Sequence, residues 1–420
     1  MNILYDILFS LGLLIYLPVL LIRGKWHKEF FMRFGSISPA LRDKTSAAPT
    51  IWFHAVSVGE VMAITHLIKK IHQDNPQHRL VLSTVTPTGQ ALARSRLRDI
   101  CQAFYAPLDF GFAVRAYITA IRPRAYVSAE TEIWPNLISH LTARSIPVVI
   151  CNGRLTEESF RLYRRFAFLF RPVIEKMDAF CMQTEQDAGR IRALGAGPER
   201  ISVTGNLKFD IVESGSDFRL SDIGFHENDQ VWIAGSTHPG EEGIILSIYK
   251  RLLPKFPSLR LMIAPRHVER ADGIARTIRE HGFAMRLFSK RMAGPLTDDS
   301  VLIVDTIGDL RSLYPLARIV FMGKSLLGKG GQNILEPAFY GKAVIVGPNM
   351  QNFQSITDQL LKDGGLVQVN GKEELLSAVE RLLANPDEAK RIGEKAHAMI
   401  CRHQGATQRT ADILQKFISL

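Results

Sequence analysis

Short runs of apolar and β-branched residues alternate with amphipathic helical stretches along most of this 420-residue chain, in two separate series. The predicted strands of the first series are residues 50–54, 80–85, 125–128, 148–151 and 179–182. Those of the second are residues 231–234, 260–264, 300–304, 319–321 and 343–346. This alternation predicts two α/β domains, each with a parallel, doubly wound sheet, because parallel strands need helical crossovers.

Residues 208–228 interrupt the alternation with a stretch rich in Ser, Gly and Asp, which indicates a linker. A chain of this length is also expected to form two domains. The predicted division is an N-terminal segment at 1–35, an N-terminal Rossmann-like domain at 36–210, a linker at 211–228 and a C-terminal Rossmann-like domain at 229–420, closing helices included. We expect ligand sites outside the carboxyl ends of both sheets, in the cleft between the domains.

The first residues differ from the rest of the chain. Residues 3–22 are almost wholly apolar, and a basic, aromatic stretch follows them. Twenty helical residues reach about 30 Å, the thickness of a bilayer core. A signal peptide is disfavoured, since no positive residue precedes the run and no small-residue cleavage site follows it. The pattern predicts a membrane anchor with the rest of the chain on the cytoplasmic side, and a buried core helix is the alternative.

The formal net charge of +11 indicates an acidic partner. Nucleic acid is the weaker choice, because no zinc-finger, RNP or basic-arm pattern is present. A phosphorylated substrate or an anionic lipid surface remains. The four cysteines are scattered without CxxC spacing, which is typical of reduced thiols in a cytosolic domain, and no His/Cys or DxD cluster indicates a metal.

Four charged residues follow predicted strands of the first series. Glu60 lies in the first turn of a helix, where the helix dipole favours the ionised form that a general base needs. Glu130 and Glu132 follow the third strand, and Lys208 follows the last one, where it could meet a carboxylate or phosphate. The alternatives are a Ser57-x-x-Glu60 capping box, acids that favour a helix N-terminus, and a solvated lysine.

A pair of glycines, Gly330 and Gly331, separates a strand from a helix in the second series. Glycines allow close approach of a ligand, and the following helix offers N–H groups to an anion. Glu336, one turn into that helix, is within reach of a ribose diol, although Asn333-x-x-Glu336 also fits a capping box. Three further loops follow strands of this series, at 234–242, 264–267 and 305–310. Together the four loops predict a mononucleotide site.

Arginines and aromatic residues interleave over residues 154–171, a stretch that overlaps the helix predicted at 160–176. Such a helix can rest on a membrane surface or hold a phosphorylated lipid. The alternative is a helix whose apolar face packs inward and whose arginines are solvated.

Together these motifs resemble those of the Kdo transferases, membrane-associated enzymes that attach 3-deoxy-D-manno-octulosonic acid (Kdo) to lipid A precursors. The resemblance covers essentially the whole chain. It is carried by the apolar start and by residues 54–60, 86–89, 130–136, 205–210, 265–267 and 330–337. The chain departs from the family pattern at Lys324, where glycine is usual.

The resemblance implies a GT-B fold and inverting transfer from CMP-Kdo to a hydroxyl of a lipid A precursor (lipid IVA) at the inner membrane, without a metal or other cofactor. Glu60 matches the family's proton acceptor, and Glu130 and Lys208 match positions for transition-state stabilisation. The positions that match CMP-contacting segments are Pro265, Arg266, Ile307, Gly308, Asp309, Asn333, Ile334, Leu335 and Glu336. A sugar-nucleotide epimerase on the same architecture and a membrane-tethered binding module are the alternatives.

Overall fold

The computed structural model describes residues 5–7, 9–14, 29–38, 41–42, 48–210, 218–291 and 300–418. The chain divides into two compact units, Met1–Asp210 with His403–Leu420, and Ile211–Arg402. Each unit contains a seven-stranded sheet whose described strand pairs are all parallel. The prediction of two doubly wound α/β domains is therefore confirmed.

The sheet of the first unit has the strand order β3-β2-β1-β4-β5-β6-β7. Its strands are β1 Thr50–His54, β2 Arg79–Thr84, β3 Cys101–Tyr105, β4 Pro123–Ala129, β5 Val148–Gly153, β6 Ala179–Met182 and β7 Ile201–Val203. Its helices are α1 Val58–Asp74, α2 Pro87–Arg96, α3 Gly111–Ile121, α4 Pro135–Thr142, α5 Glu157–Arg165, α6 Ala167–Ile174 and α7 Glu185–Ala193. Hydrophobic clusters cover both faces of the sheet, one around Trp52 and Tyr126 and the other around Phe53 and Val127.

The sheet of the second unit has the order β10-β11-β9-β8-β12-β13-β14. Its strands are β8 Gln230–Thr237, β9 Leu259–Pro265, β10 Ala284–Leu287, β11 Ser300–Ile303, β12 Ala317–Met322, β13 Ala343–Val346 and β14 Val367–Gln368. Its helices are α8 Glu241–Leu252, α9 Ala271–Glu280, α10 Leu310–Leu313, α11 Leu335–Phe339, α12 Gln354–Asp363, α13 Lys372–Ala384 and α14 Pro386–His403. Trp232, Ile263 and Phe321 are at the centre of its core.

The last helix, α15 at Ala406–Ile418, belongs to the first unit and not to the C-terminal domain predicted at 229–420. The physical reason is packing: its apolar side chains Ala411, Leu414 and Ile418 join the cluster that contains Val61 and Ile64 of α1. The helix predicted at 160–176 is also different, since it consists of α5 and α6 with non-helical geometry at Phe166 (φ −105°, ψ 33°). Of the predicted linker, residues 211–217 lie outside the described residues.

Much of the predicted membrane anchor also lies outside the described residues, which omit 1–4, 8 and 15–28. Residues 5–7 and 9–14 are helical, and one side of this segment packs on the first unit. Tyr5 is buried, the Phe9 ring lies 5.1 Å from that of Phe110, and Asn136 Nδ2 donates to Asp6 Oδ1 at 2.6 Å. In the described part of the chain, no helix is both long and apolar enough to cross a bilayer.

Candidate active site

Glu60 lies just after β1, and its carboxylate folds back over the first turn of α1. Its Oε2 accepts a hydrogen bond from the Val56 N–H at 2.7 Å, and its Oε1 accepts one from the Ser57 hydroxyl at 2.8 Å. The side chain is only 7% exposed. Burial raises the pKa of Glu60, the Val56 hydrogen bond opposes that rise, and the neighbouring Glu130 carboxylate adds to it. The Glu60 carboxylate therefore caps the N-terminus of α1. Because its pKa is raised, it is also a stronger base than an ordinary glutamate.

Glu130 and Lys208 are brought together at the same edge of the sheet. Glu130 follows β4 with a left-handed backbone (φ 55°), and its N–H donates to the Cys151 carbonyl on β5 at 2.9 Å. Lys208 lies in a short 3-10 turn, Leu207–Phe209, after β7. Its Nζ is 3.8 Å from Glu130 Oε1. Since Glu130 also acts electrostatically on Glu60, the three predicted residues form one charged cluster in this unit.

Glu132 completes this cluster, although it was not among the residues predicted to be catalytic. Burial raises the pKa of Glu132 to about 7, and the carboxylates of Glu60 and Glu130 add to the effect. The same loop is fixed from the side by α5, where the Tyr163 hydroxyl donates to the Thr131 carbonyl at 3.3 Å. Near neutral pH, Glu132 can therefore hold a proton in this cluster.

Asn152, the residue that fixes the Lys208 turn, was not predicted from the sequence. Asn152 is fully buried on β5 and has a left-handed backbone (φ 54°). Its Oδ1 accepts a hydrogen bond from the Leu207 N–H at 2.9 Å. No periodic pattern marks such a residue; the available signal is an asparagine directly after the predicted strand at 148–151, since asparagine tolerates positive φ.

The C-terminal segment fixes the other side of the same turn. Asp210 accepts hydrogen bonds from the Gly405 N–H at 2.6 Å and from the Thr407 N–H, at the start of α15. Arg409 Nε donates to the Thr204 carbonyl at 2.9 Å. The return of the chain to the first unit thus stabilises the turn that carries Lys208.

In the second unit, the four predicted loops leave the carboxyl ends of neighbouring strands β11, β9, β8 and β12. The buried carboxylate of Glu241 ties two of these loops together. It accepts hydrogen bonds from the backbone N–H groups of His238 at 2.9 Å, Lys324 at 2.8 Å and Leu326 at 3.3 Å. The loops therefore have a defined geometry without a ligand.

Gly330 and Gly331 both have positive φ, 106° and 69°, which favours glycine. A Cβ on Gly330 would also meet the Asn352 amide at 2.6 Å, and the Gly330 N–H donates to Gln351 Oε1 at 2.7 Å. Lys324 has left-handed geometry too, with φ 58°, so the loop keeps a glycine-like backbone at the position where the sequence departs from the family pattern.

Asn333 and Glu336 contact one another at the start of α11. Asn333 Oδ1 accepts from the Leu335 N–H at 3.1 Å, and Asn333 Nδ2 donates to Glu336 Oε1 at 3.2 Å. The capping function and a ligand function can coexist, since Glu336 is only partly buried. The side chains of Ile334 and Leu335 are buried, so these two can contact a nucleotide only through their backbone.

The remaining predicted residues lie in two loops of the second unit. Pro265 ends β9, and the exposed Arg266 follows it, with its N–H donating to the Thr237 carbonyl at 3.1 Å. Ile307 is 84% exposed, Gly308 has φ 102°, and Asp309 directly precedes α10. The exposure of Ile307 and Arg266 makes both available to a ligand.

Basic and imidazole side chains surround the loop after β8. The Gln332 amide lies 3.1 Å from His238 Nε2, and the rings of His238 and His267 are 6.1 Å apart. Burial lowers the pKa of His238, and the nearby Lys324 ammonium lowers it further. This chemistry suits an anion such as a phosphodiester. Within the described residues, no group of three His, Cys, Asp or Glu side chains is arranged to hold a metal ion.

The comparisons with known proteins agree with these motifs. A family model described as 3-deoxy-D-manno-octulosonic-acid transferase (kdotransferase) matches residues 28–211. The 3-deoxy-D-manno-octulosonic acid transferase of Haemophilus influenzae is 33% identical over 374 residues, which cover 88% of this chain and 87% of that protein.

Two solved structures show the fold. UDP-GlcNAc 2-epimerase from Neisseria meningitidis matches with a TM-score of 0.56 at 12% identity, over 87% of this chain and all of that one. MurG of Acinetobacter baumannii matches with a TM-score of 0.55 at 14% identity, over 88% and 99%. At these identities the likeness shows the two-domain α/β fold alone, so the sequence relatives decide the family. This chain belongs to the Kdo transferase family of glycosyltransferases.

Proposed function

We propose that the protein transfers Kdo from CMP-Kdo to a hydroxyl of a lipid A precursor such as lipid IVA, with inversion and without a metal ion. The observation that carries the proposal is the cluster of Glu60, Glu130 and Lys208 at the carboxyl edge of the first sheet, with Lys208 Nζ 3.8 Å from Glu130. It places a base, a second carboxylate and a cation in one small region, as a glycosyl transfer needs.

In the proposed reaction, Glu60 accepts the proton of the acceptor hydroxyl while that oxygen attacks the anomeric carbon of Kdo. The new C–O bond forms as the bond from that carbon to the phosphate oxygen breaks, and CMP leaves with the bonding electron pair. The raised pKa of Glu60 makes it a better base, and its two hydrogen bonds fix its orientation. Lys208 and Glu130 stabilise the charges that develop on the reacting atoms.

The second unit supplies the donor site in this proposal. Glu336 accepts hydrogen bonds from the ribose diol, and the Gly330–Gly331 backbone approaches the phosphate closely. Arg266 supplies a positive charge that is not tied to an ion pair among the described residues. The loop at Ile307, Gly308 and Asp309 reads the cytosine through its backbone groups and its exposed side chains.

We further propose that the N-terminal segment holds the protein on the cytoplasmic face of the inner membrane, next to anionic lipids. Ile7, Leu11 and Leu14 lie on one side of the described part of this segment, and each is more than half exposed. Phe168 of α6 and Leu162 of α5 are also exposed, beside arginines that can attract acidic headgroups at about 1 kcal/mol each. Because α5 also contacts the Glu130–Glu132 loop, a lipid on this surface would be close to Glu60.

Product masses test the proposed function. The detergent-solubilised protein is incubated with CMP-Kdo and lipid IVA, and the lipid is analysed by mass spectrometry while free CMP is measured. We expect CMP release only when the acceptor is present, together with mass increments of one or more Kdo residues. CMP release without an acceptor, or no increment in lipid mass, would contradict the proposal. An epimerase would change the sugar and leave the lipid unmodified.

A further inference from the structure

A surface cavity of about 530 Å³ lies at the edge of the first sheet that is opposite to Glu60. It is bordered by Arg79, the first residue of β2, and by Cys101, the first residue of β3. The two strands are parallel and pair Leu80 with Cys101, so these residues mark the amino ends of the strands. The catalytic cluster follows the carboxyl ends of β1 and β4. The cavity is therefore distinct from the candidate active site, and its volume is typical of pockets for small molecules.

The charged lining of this cavity is mostly basic. Its charged and imidazole side chains are His72, His78, Arg79, Arg94, Arg98 and Asp99. Arg94 pairs with Glu29 at 3.0 Å. Arg79 and Arg98 form no ion pair within the described part of the chain, and Asp99 is the one carboxylate among the lining residues.

Several polar atoms of this lining are buried and make no hydrogen bond to any described residue: His72 Nδ1, His78 Nδ1, Arg79 Nη1 and Gln102 Oε1. His78 is only 8% exposed. Buried polar groups are nearly always hydrogen-bonded, and each exception needs an explanation. The amide of Gln102 can also turn, so that its Nε2 donates toward the same space. A ligand that accepts hydrogen bonds would provide partners for the guanidinium and imidazole N–H groups of this set.

The dipoles of the adjacent helices explain only part of the basic lining of the cavity. α1 ends at Asp74 and α2 at Arg96, and the carbonyl ends of helices attract exposed cations. Arg79, however, is on a strand, and its buried Nη1 has no carbonyl partner among the described residues. Burial and the nearby Arg124 lower the pKa of His78, so its imidazole is a neutral donor at physiological pH. The positive charge of the site thus comes from the arginines.

We propose that this cavity is a second anion-binding site, which takes a phosphate-bearing ligand on Arg79, Arg98 and His78. Two guanidinium groups and an imidazole N–H match the oxygens of a phosphate, because arginine forms paired, charge-assisted hydrogen bonds with it. The phosphate belongs either to a soluble phosphorylated compound or to the headgroup of a lipid surface. The site goes beyond the transferase function, and neither depends on the other.

Calorimetry with inorganic pyrophosphate tests the site in the full-length protein, with CMP present throughout at a saturating concentration. We expect the wild type to bind pyrophosphate and the double variant Arg79→Gln/Arg98→Gln to bind it roughly tenfold or more weakly, because two charge-assisted contacts are lost. His78→Gln should weaken binding less. Arg96→Gln, an exposed arginine at the end of α2 outside the lining, is the matched control and should change Kd by less than about twofold. Equal pyrophosphate affinity in the wild type and the double variant would overturn the proposal.

Vesicle sedimentation separates the two sources of phosphate. If the double variant sediments less with phosphatidylglycerol vesicles, and pyrophosphate releases the wild type from them, the ligand is a lipid headgroup. If vesicle binding is unchanged and only pyrophosphate binding is lost, the ligand is soluble. Absence of both effects would overturn the proposal. Should the double variant fail to fold, Arg98→Gln alone, at an exposed position, gives the same comparison. Kdo transfer to detergent-dispersed acceptor should be unchanged in all of these variants.

Discussion

Lys208 Nζ lies 3.8 Å from Glu130 Oε1, although the two residues follow different strands, β7 and β4. Both side chains are partly solvent-exposed, at 23% and 29%, so the pair contributes at most about 1 kcal/mol to stability. Its value is instead the placement of opposite charges beside Glu60. The pair therefore contributes little to the fold, and we propose that it acts in the chemistry of the site.

Lys208→Gln is expected to lower turnover by about 10²–10³-fold, because a positioned charge that stabilises the transition state is lost. The melting temperature should hardly change. The matched control is Lys70→Gln, which removes a partly exposed ion pair with Asp74 at 3.0 Å in the same unit. The rate of Kdo transfer and thermal unfolding are measured for both. Wild-type turnover in Lys208→Gln would show that this lysine is a solvated surface residue.

Asn152→Gly should lower kcat by about tenfold or more and leave CMP affinity unchanged. Glycine accepts the left-handed backbone at this position but cannot accept the hydrogen bond from Leu207, so the Lys208 turn loses its support. Asn152→Ala adds backbone strain and should be less stable than Asn152→Gly. Ser145→Gly, at φ 55° in the same unit, is the control for the backbone alone. An unchanged kcat in a folded Asn152→Gly protein would show that Asn152 does not position Lys208 for catalysis.

Glu132 makes the stability of the protein pH-dependent. Its pKa is raised from 4.5 to about 7 in the folded protein, so between these values the unfolded chain releases a proton that the folded protein retains. The free energy of unfolding should therefore fall as pH rises from about 4.5 to 7. Glu132→Gln removes this contribution, and its stability relative to the wild type should increase across that window. Denaturant titrations at several pH values measure the difference.

Glu158→Gln, which alters an exposed carboxyl on α5, is the control for the pH series. Asp109, whose pKa burial also raises to about 7, is present in every variant and cancels in the comparison. Parallel stability curves for the wild type and Glu132→Gln would mean that Glu132 is ionised throughout the window.

Glu336→Gln and Arg266→Gln are expected to weaken CMP binding, each by about tenfold, since each removes a charge-assisted hydrogen bond. The salt dependence of CMP affinity should decrease in Arg266→Gln. Arg276→Gln, an exposed arginine on α9, is the control. Calorimetry with CMP measures all three. A lower melting temperature of Glu336→Gln with unchanged CMP affinity would show that Glu336 only caps the N-terminus of α11, together with Asn333.

The central strands of both sheets were predictable because they are buried on both faces and read as continuous apolar runs. β1 and β13 have the predicted bounds, Thr50–His54 and Ala343–Val346. The four strands at the edges, β3, β7, β10 and β14, are not among the predicted strands. Their residues are mostly half-buried or exposed, so neither a continuous run nor a clear alternation marks them.

The positions of the charged residues at the site were also predictable, because the carboxyl ends of parallel strands share one edge of a sheet. Asn152 and α15 were not. Asn152 acts through a hydrogen bond to Leu207, and α15 through its packing on α1, both of which depend on contacts between distant parts of the chain. The sequence predicted closing helices at the C-terminal end, and no local property indicates which unit the last of them covers.

The rate of Kdo transfer by Glu60→Gln tests the account most directly. The amide keeps the size of the side chain and can still accept the Val56 hydrogen bond that closes the start of α1, but it is not a base. We expect a folded protein that binds CMP normally and transfers Kdo from CMP-Kdo to lipid IVA about 10²–10⁴-fold more slowly than the wild type. A folded Glu60→Gln protein with near-normal turnover would contradict it.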